Sequence, residues 1–365
     1  MAVLQEDQKG AFLVALVVLG AGATRGASFV EDERERPICL PPLDSDFFTQ
    51  LQRVANSKHR DTINGVLKDV VDLFGHNFRV TLETAFTTIE HTLRVVNATK
   101  GTAGSNPDEL EAKRVRLKQA IAAVLEESLT TGNSSSRSRG RDHRECMHHR
   151  KLVDELKASD AIISFNYDCL TDYMLKQHGK GKWNARYGYG LPMRRGRGSH
   201  IDGEDPWTPS GNGGPSRNKT IRLLKLHGSI HFSAQSKGRF SLKERPYTRQ
   251  HGNLRFEIIP PEWNKGFDEG VFRRLWGIAR DEIHKATTIV VIGYSFPLTD
   301  LHTSALFRVS VAEKSLRNVV IVNPDAEARR RTRDVLRRGF SSATRVLVFD
   351  RLKDFAAVDR TLWDQ

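Results

Sequence analysis

The chain has 365 residues and 38% hydrophobic content, with 57 Lys+Arg against 44 Asp+Glu for a formal charge of +13. That size allows one large buried core or two modest ones, and no run reaches the ~18 apolar residues of a membrane helix. Three scattered cysteines (Cys39, Cys146, Cys169) exclude a disulfide scaffold, give no metal-binding spacing and fit a reducing cytoplasm.

Residues 11–23 form an apolar stretch like a signal-peptide core, but Glu6 and Asp7 oppose the basic flank such a signal needs. It belongs instead to the first of six apolar runs: Phe12–Leu19, Asp160–Phe165, Ile221–Leu226, Thr287–Gly293, Asn318–Asn323 and Thr344–Phe349. Most are continuous rather than alternating, as in strands buried on both faces of a parallel sheet. Val271–Lys285, Leu301–Ser315 and Asp325–Arg338 have the length of crossover helices. The pattern predicts an α/β fold, an open doubly wound parallel sheet holding ligands at the carboxyl ends of its strands.

The first two runs are too far apart for one crossover. Leu82, Phe86, Ile89, Leu93 and Val96 make one helical stripe, and Glu109–Leu129 has helix-forming composition. The expectation is a single domain over 1–365, with sheet segments 10–43 and 147–350 and an inserted helical module at 44–129. The module's stripe is expected to face internal core. Residues 130–146 read as a flexible linker, and 180–219 as a basic irregular loop.

Five strand ends carry candidate chemistry. The first run leads into Gly20-Ala21-Gly22-Ala23-Thr24-Arg25-Gly26, a turn that lets backbone N–H groups approach a pyrophosphate, although its spacing fails the dinucleotide fingerprint at the third glycine. A glycine turn without a ligand stays open. The second run ends at Asn166 and Asp168, able to bond sugar hydroxyls or to cap the next helix. The third ends in Lys225-Leu226-His227-Gly228-Ser229, presenting His227 as a candidate general base; His231 lies past the turn. The fourth ends in Gly293-Tyr294-Ser295-Phe296-Pro297, where Pro297 breaks the serine-hydrolase elbow. Asn323-Pro324-Asp325 closes the fifth run, and no phosphate-binding P-loop motif occurs.

In order, Gly20–Thr24, Phe165–Asp168, Lys225–Ser229, Gly293–Ser295 and Val322–Pro324 resemble the motif blocks of the sirtuin superfamily. Leu40–Asp44 with Phe47-Phe48, and Leu82-Glu83 with Phe86-Thr87, are similar to its bacterial branch in anti-phage defence. The resemblance spans Leu13 to Asp350. It implies a Rossmann-like NAD+ site and an NAD+ glycohydrolase, with NAD+ as substrate, nicotinamide and linear or cyclic ADP-ribose as products, and activation by a trigger. By the resemblance, Asn166 orients ribose or the attacking water, and His227 is the general base or activates a ribose hydroxyl. Asp168 holds ribose or stabilises positive charge. Gly20, Ala21, Gly22 and Thr24 meet the pyrophosphate, Gly293 and Ser295 close the pocket, and Asn323 meets the adenosine ribose. Thr24 stands where the family often has Ser.

Protein-deacylating sirtuins have a Gly-Ile-Pro-Asp-Phe-Arg block and four zinc cysteines. Here Ser28-Phe29-Val30-Glu31 follows the turn and the cysteines are too few, so no zinc is expected and an atypical deacylase is the weaker alternative. A non-catalytic module sensing NAD+ or ADP-ribose is the other. The chain has no room for a sizeable C-terminal sensor, so a homo-oligomer or a separate partner, such as a HerA-type ATPase or short Argonaute, is expected. Between Lys180 and Arg255 stand 16 Lys+Arg against 4 acids, nearly the whole charge excess. The irregular part of that region, Lys180–Lys219, reads as a flap, a solvated loop, or a surface for nucleic acid or an acidic partner.

Overall fold

The computed structural model describes residues 14–99, 106–131, 142–193, 207–210, 215–216, 219–235, 239–243, 246, 257–260, 270–312 and 314–364. All six apolar runs become strands: β1 (Ala15–Leu19), β2 (Ala161–Ser164), β3 (Arg222–Lys225), β4 (Thr288–Ile292), β5 (Asn318–Val322) and β6 (Arg345–Phe349). They form one parallel sheet in the order β3-β2-β1-β4-β5-β6. This is a Rossmann-like α/β fold, in which the strand order runs outward one way from β1 through β2 and β3 and the other way from β4 through β6.

The sequence explains the layering. All of β1, β2, β4 and β5 is buried, and their Val and Ile side chains suit a sheet covered on both faces. Each such side chain contributes about 1.5–3 kcal/mol. β6, at the edge, is partly exposed throughout. At the opposite end of the strands, the fully buried Asp160 accepts the Ala15 N–H at 3.0 Å and the Lys157 N–H at 2.7 Å, and pairs with Arg360. Arg360 also holds Asp364, which accepts the Thr288 hydroxyl, so the last helical turn, Arg360–Trp363, docks beneath the sheet.

A five-residue helix, α1 (Ala21–Arg25), follows β1 directly. The module comprises α2 (Phe47–Gln52), α3 (Arg60–Phe74), α4 (Leu82–Ala98) and α5 (Pro107–Leu129). Asn106 caps α5 by accepting the Asp108 N–H, with Pro107 in the first turn and acids behind it. Leu82, Phe86 and Ile89 of the predicted stripe are buried, and Leu93 and Val96 pack partly buried on the same core. The stripe is internal.

Three expectations need correction. The 130–146 segment is tied at both ends, because Thr130–Thr131 pairs antiparallel with Asp142–His143; residues 132–141 lie outside the described residues. After α6 (Met147–Glu155), α7 (Leu170–His178) and α8 (Gly270–Lys285), helix α9 spans Leu301–Ser310, five residues shorter than expected. The chain there tightens, the Ala312 N–H bonding the Val309 carbonyl three residues back instead of four. The described part of 180–219 is no solvated loop: Trp183, Tyr189 and Trp207 are buried, and each indole N–H finds a carbonyl. Arg194, Arg195 and Arg197 lie outside the described residues.

Candidate active site

A cleft of about 660 Å³ opens at the carboxyl ends of the strands, over the β1–β4 switch point. It gathers Gly20, Ala21, Gly22, Thr24, Asn166, Asp168, His227, Gly293, Ser295 and Asn323 into one lining. Each lies just beyond a strand or in the helix after it, which is where an open α/β sheet leaves its crevice.

The glycines are required by backbone approach. The Gly20 N–H donates to the Ile292 carbonyl and the Gly22 N–H to the Gly293 carbonyl, both at 3.0 Å. A Cβ on Gly22 would sit 2.7 Å from Gly293 Cα, and one on Gly293 only 2.1 Å from the Ala23 nitrogen; Gly293 also has φ +61°. Two of the turn's amides are thus committed to the neighbouring strand end. Beside it, Phe296 holds φ +45°, a strained value for an aromatic residue, while its ring packs on Tyr294 and Phe307.

The polar groups form a chain across the first two strand ends. Asn166 Nδ2 donates to the Gly20 carbonyl at 3.0 Å and to Thr24 Oγ1 at 3.1 Å, and Thr24 Oγ1 donates to Asp168 Oδ2 at 2.8 Å. Asp168 Oδ1 accepts the Leu170 N–H at 2.9 Å. Both oxygens of Asp168 therefore carry protein donors; it starts α7 and ties α1 to β2, and a ribose contact would be additional. The same bonds orient Asn166, with its nitrogen turned to the protein. Asn323 is similarly engaged, its Oδ1 accepting the Asp325 N–H at 3.0 Å. Ser295 is half-buried, and its carbonyl accepts from Arg331.

His227 stands on the opposite wall. Its imidazole packs against Phe165 (ring centroids 4.9 Å), which stacks on Tyr294 at 4.2 Å. Its Nε2 lies 3.5 Å from Asp300 Oδ2, and the Tyr294 hydroxyl donates to that same oxygen at 2.6 Å. Burial and the Asp300 charge push the Tyr294 phenol well above its ordinary pKa, so it stays protonated as a donor.

Beneath β2 and β3 lies a fully buried support. Lys225 bonds the Asp168 carbonyl and pairs with Asp172 at 2.9 Å. Burial alone would discharge this pair, but mutual attraction outweighs it, raising Lys225 and lowering Asp172. His231 Nδ1 meets Ser229 Oγ at 2.8 Å, and burial holds its pKa down at about 3; it is a neutral core histidine. Away from the cleft, Cys146 meets His149 at 3.1 Å; burial raises the thiol, but His149 outweighs that and brings it to about 7.

Sequence reasoning missed several members of the lining. Asp300 is recognisable only after folding brings the β4 turn against His227. The module supplies Asp44, Leu82, Glu83, Ile121 and Leu125 as a wall, and Glu83 Oε2 accepts the Thr299 hydroxyl at 2.9 Å. The lining carries Glu31, Asp44, Glu83, Asp168, Asp300, Asp325 and Asp350 against Arg25 and Arg351, so it is acidic. Among the described residues, none of the Lys or Arg side chains from Lys180 to Arg255 lines it. No protein-family model matches the chain, and no curated protein sequence does either.

Proposed function

We propose that the cleft binds NAD+ and cleaves its nicotinamide–ribose bond. The observation that carries this reading is the convergence of Asn166, Thr24, Asp168 and His227 on one crevice at the switch point of a Rossmann-like sheet. Acid-rich lining suits a substrate bearing a pyridinium cation and two ribose diols, since carboxylates accept from hydroxyls and attract positive charge. Ala21, at the first helical position, has an amide that needs no partner within α1, and Arg351 adds a cation on the rim.

Departure of nicotinamide leaves a neutral ring and an oxocarbenium-like ribose, so no acid is needed for the leaving group. The C1′–N bond breaks with its electron pair going to nicotinamide. A water forms the new C1′–O bond, and its proton passes to His227. Asn166 orients the ribose or that water through its amide oxygen. In this reading the protein acts alone or within a homo-oligomer in the cytoplasm, restrained until a separate sensor engages it, as in the defence sirtuins it resembles.

Incubating the full chain with NAD+, alone and with candidate partners, and following nicotinamide release tests this. Turnover is expected to fall by at least about 100-fold in His227→Ala that circular dichroism shows to be folded. Calorimetric binding of NAD+ without turnover under any condition would instead favour a sensing module.

A further inference from the structure

We propose that Asp300 is the positioning residue of His227, fixing the imidazole in the tautomer that carries its proton on Nε2. The proposal rests on the NAD+ reading above for its kinetic consequence, but not for its structural content. Asp300 lies just outside the turn that closes β4, far from His227 in the chain, and only the β1–β4 reversal brings the two onto one cleft wall. Its side chain is 2% exposed. A carboxylate buried so deeply is destabilising unless donors surround it. The Tyr294 hydroxyl at 2.6 Å, the Thr303 N–H at the start of α9 at 3.4 Å and the His227 ring face it.

The geometry distinguishes the two ring nitrogens. Nε2 is the one turned to Asp300 Oδ2, at 3.5 Å, and a carboxylate is an acceptor only. A proton on Nε2 is attracted by that oxygen; a lone pair there would be repelled. The tautomer so selected keeps its lone pair, and with it the ring's basicity, on Nδ1. Phe165, in edge contact with the imidazole, limits its rotation, and Tyr294 links the two by stacking on Phe165 while bonding Asp300. Asp300 also caps α9, so a purely structural role is the competing explanation.

Asp300→Asn separates the two, because an amide oxygen still caps the helix while the charge is lost. With 15N-labelled histidine in the full chain, and the His227 signals identified by their loss in His227→Gln, imidazole nitrogen shifts at mildly alkaline pH report the tautomer directly. Wild type is expected to show the Nε2–H form, and Asp300→Asn a mixture. In the NAD+ assay, kcat is expected to fall about 10–100-fold with KM changed less than about threefold. A wild-type Nδ1–H tautomer overturns the proposal even if the variant does not fold. Unchanged tautomer and kcat in a folded Asp300→Asn also overturn it. A tautomer shift in a protein that never consumes NAD+ upholds the positioning and rejects the catalytic reading.

Discussion

Gly293 concentrates the constraints of the site in one position. Its φ is +61°, and a Cβ there would stand 2.1 Å from the Ala23 nitrogen, which leaves no place for a side chain. Gly293→Ala is expected to destabilise the protein by about 2–4 kcal/mol and to weaken NAD+ binding, read by thermal melting and calorimetry. Gly277 is the contrast: it lies inside α8, and a Cβ there meets nothing within 4 Å. Gly277→Ala is expected to stabilise by about 0.5–1 kcal/mol. The glycine turn and its polar neighbours are legible in sequence because each is local to one strand end. The reason for the glycines is not, since the clash they avoid is with a strand that arrives much later in the chain. Asp300 is hidden in the sequence for the same reason.

Among elements, the helical module gives the clearest test, because it forms one wall of the cleft. Thr299, next to Asp300, donates to Glu83 of α4, whose backbone N–H donates to Asp44 at 2.7 Å. Thr299→Val keeps the shape and removes the donor. It is expected to raise KM for NAD+ several-fold while costing about 1 kcal/mol or less in melting experiments. Within the module, Glu126 is buried between His59 (2.7 Å) and Lys58. Burial raises its pKa, but the bonds from His59 and Lys58 outweigh that and hold it below its ordinary value of 4.5. A depressed folded pKa means stability that is complete above the ordinary value and lost as pH falls through the folded one. Circular dichroism is expected to show the wild type losing stability below pH ~4.5 more steeply than Glu126→Gln. The helical character of this module was legible from its 3.6-residue period, but its placement against the cleft was not, because periodicity gives a face and no partner.

For the whole molecule, continuous Val- and Ile-rich runs announced a doubly covered parallel sheet, and the strand order adds what no run reveals: a reversal between β1 and β4 with every candidate polar group above it. The net charge of +13 misdirects, since a chain this basic overall holds an acidic cleft. Sequence neighbours of His227 supply the cations, whereas spatial neighbours supply the carboxylates. Charge balance at a site is a property of packing, and composition reports only the sum. The measurement closest to the central claim is a time course of nicotinamide release from NAD+ by the full chain, with and without an activating partner, beside Asn166→Ala and His227→Ala that circular dichroism shows to be folded. Stoichiometric appearance of nicotinamide and ADP-ribose in the wild type alone is the predicted result. Equal release by wild type and both variants, or none from wild type under every condition tried, would contradict it.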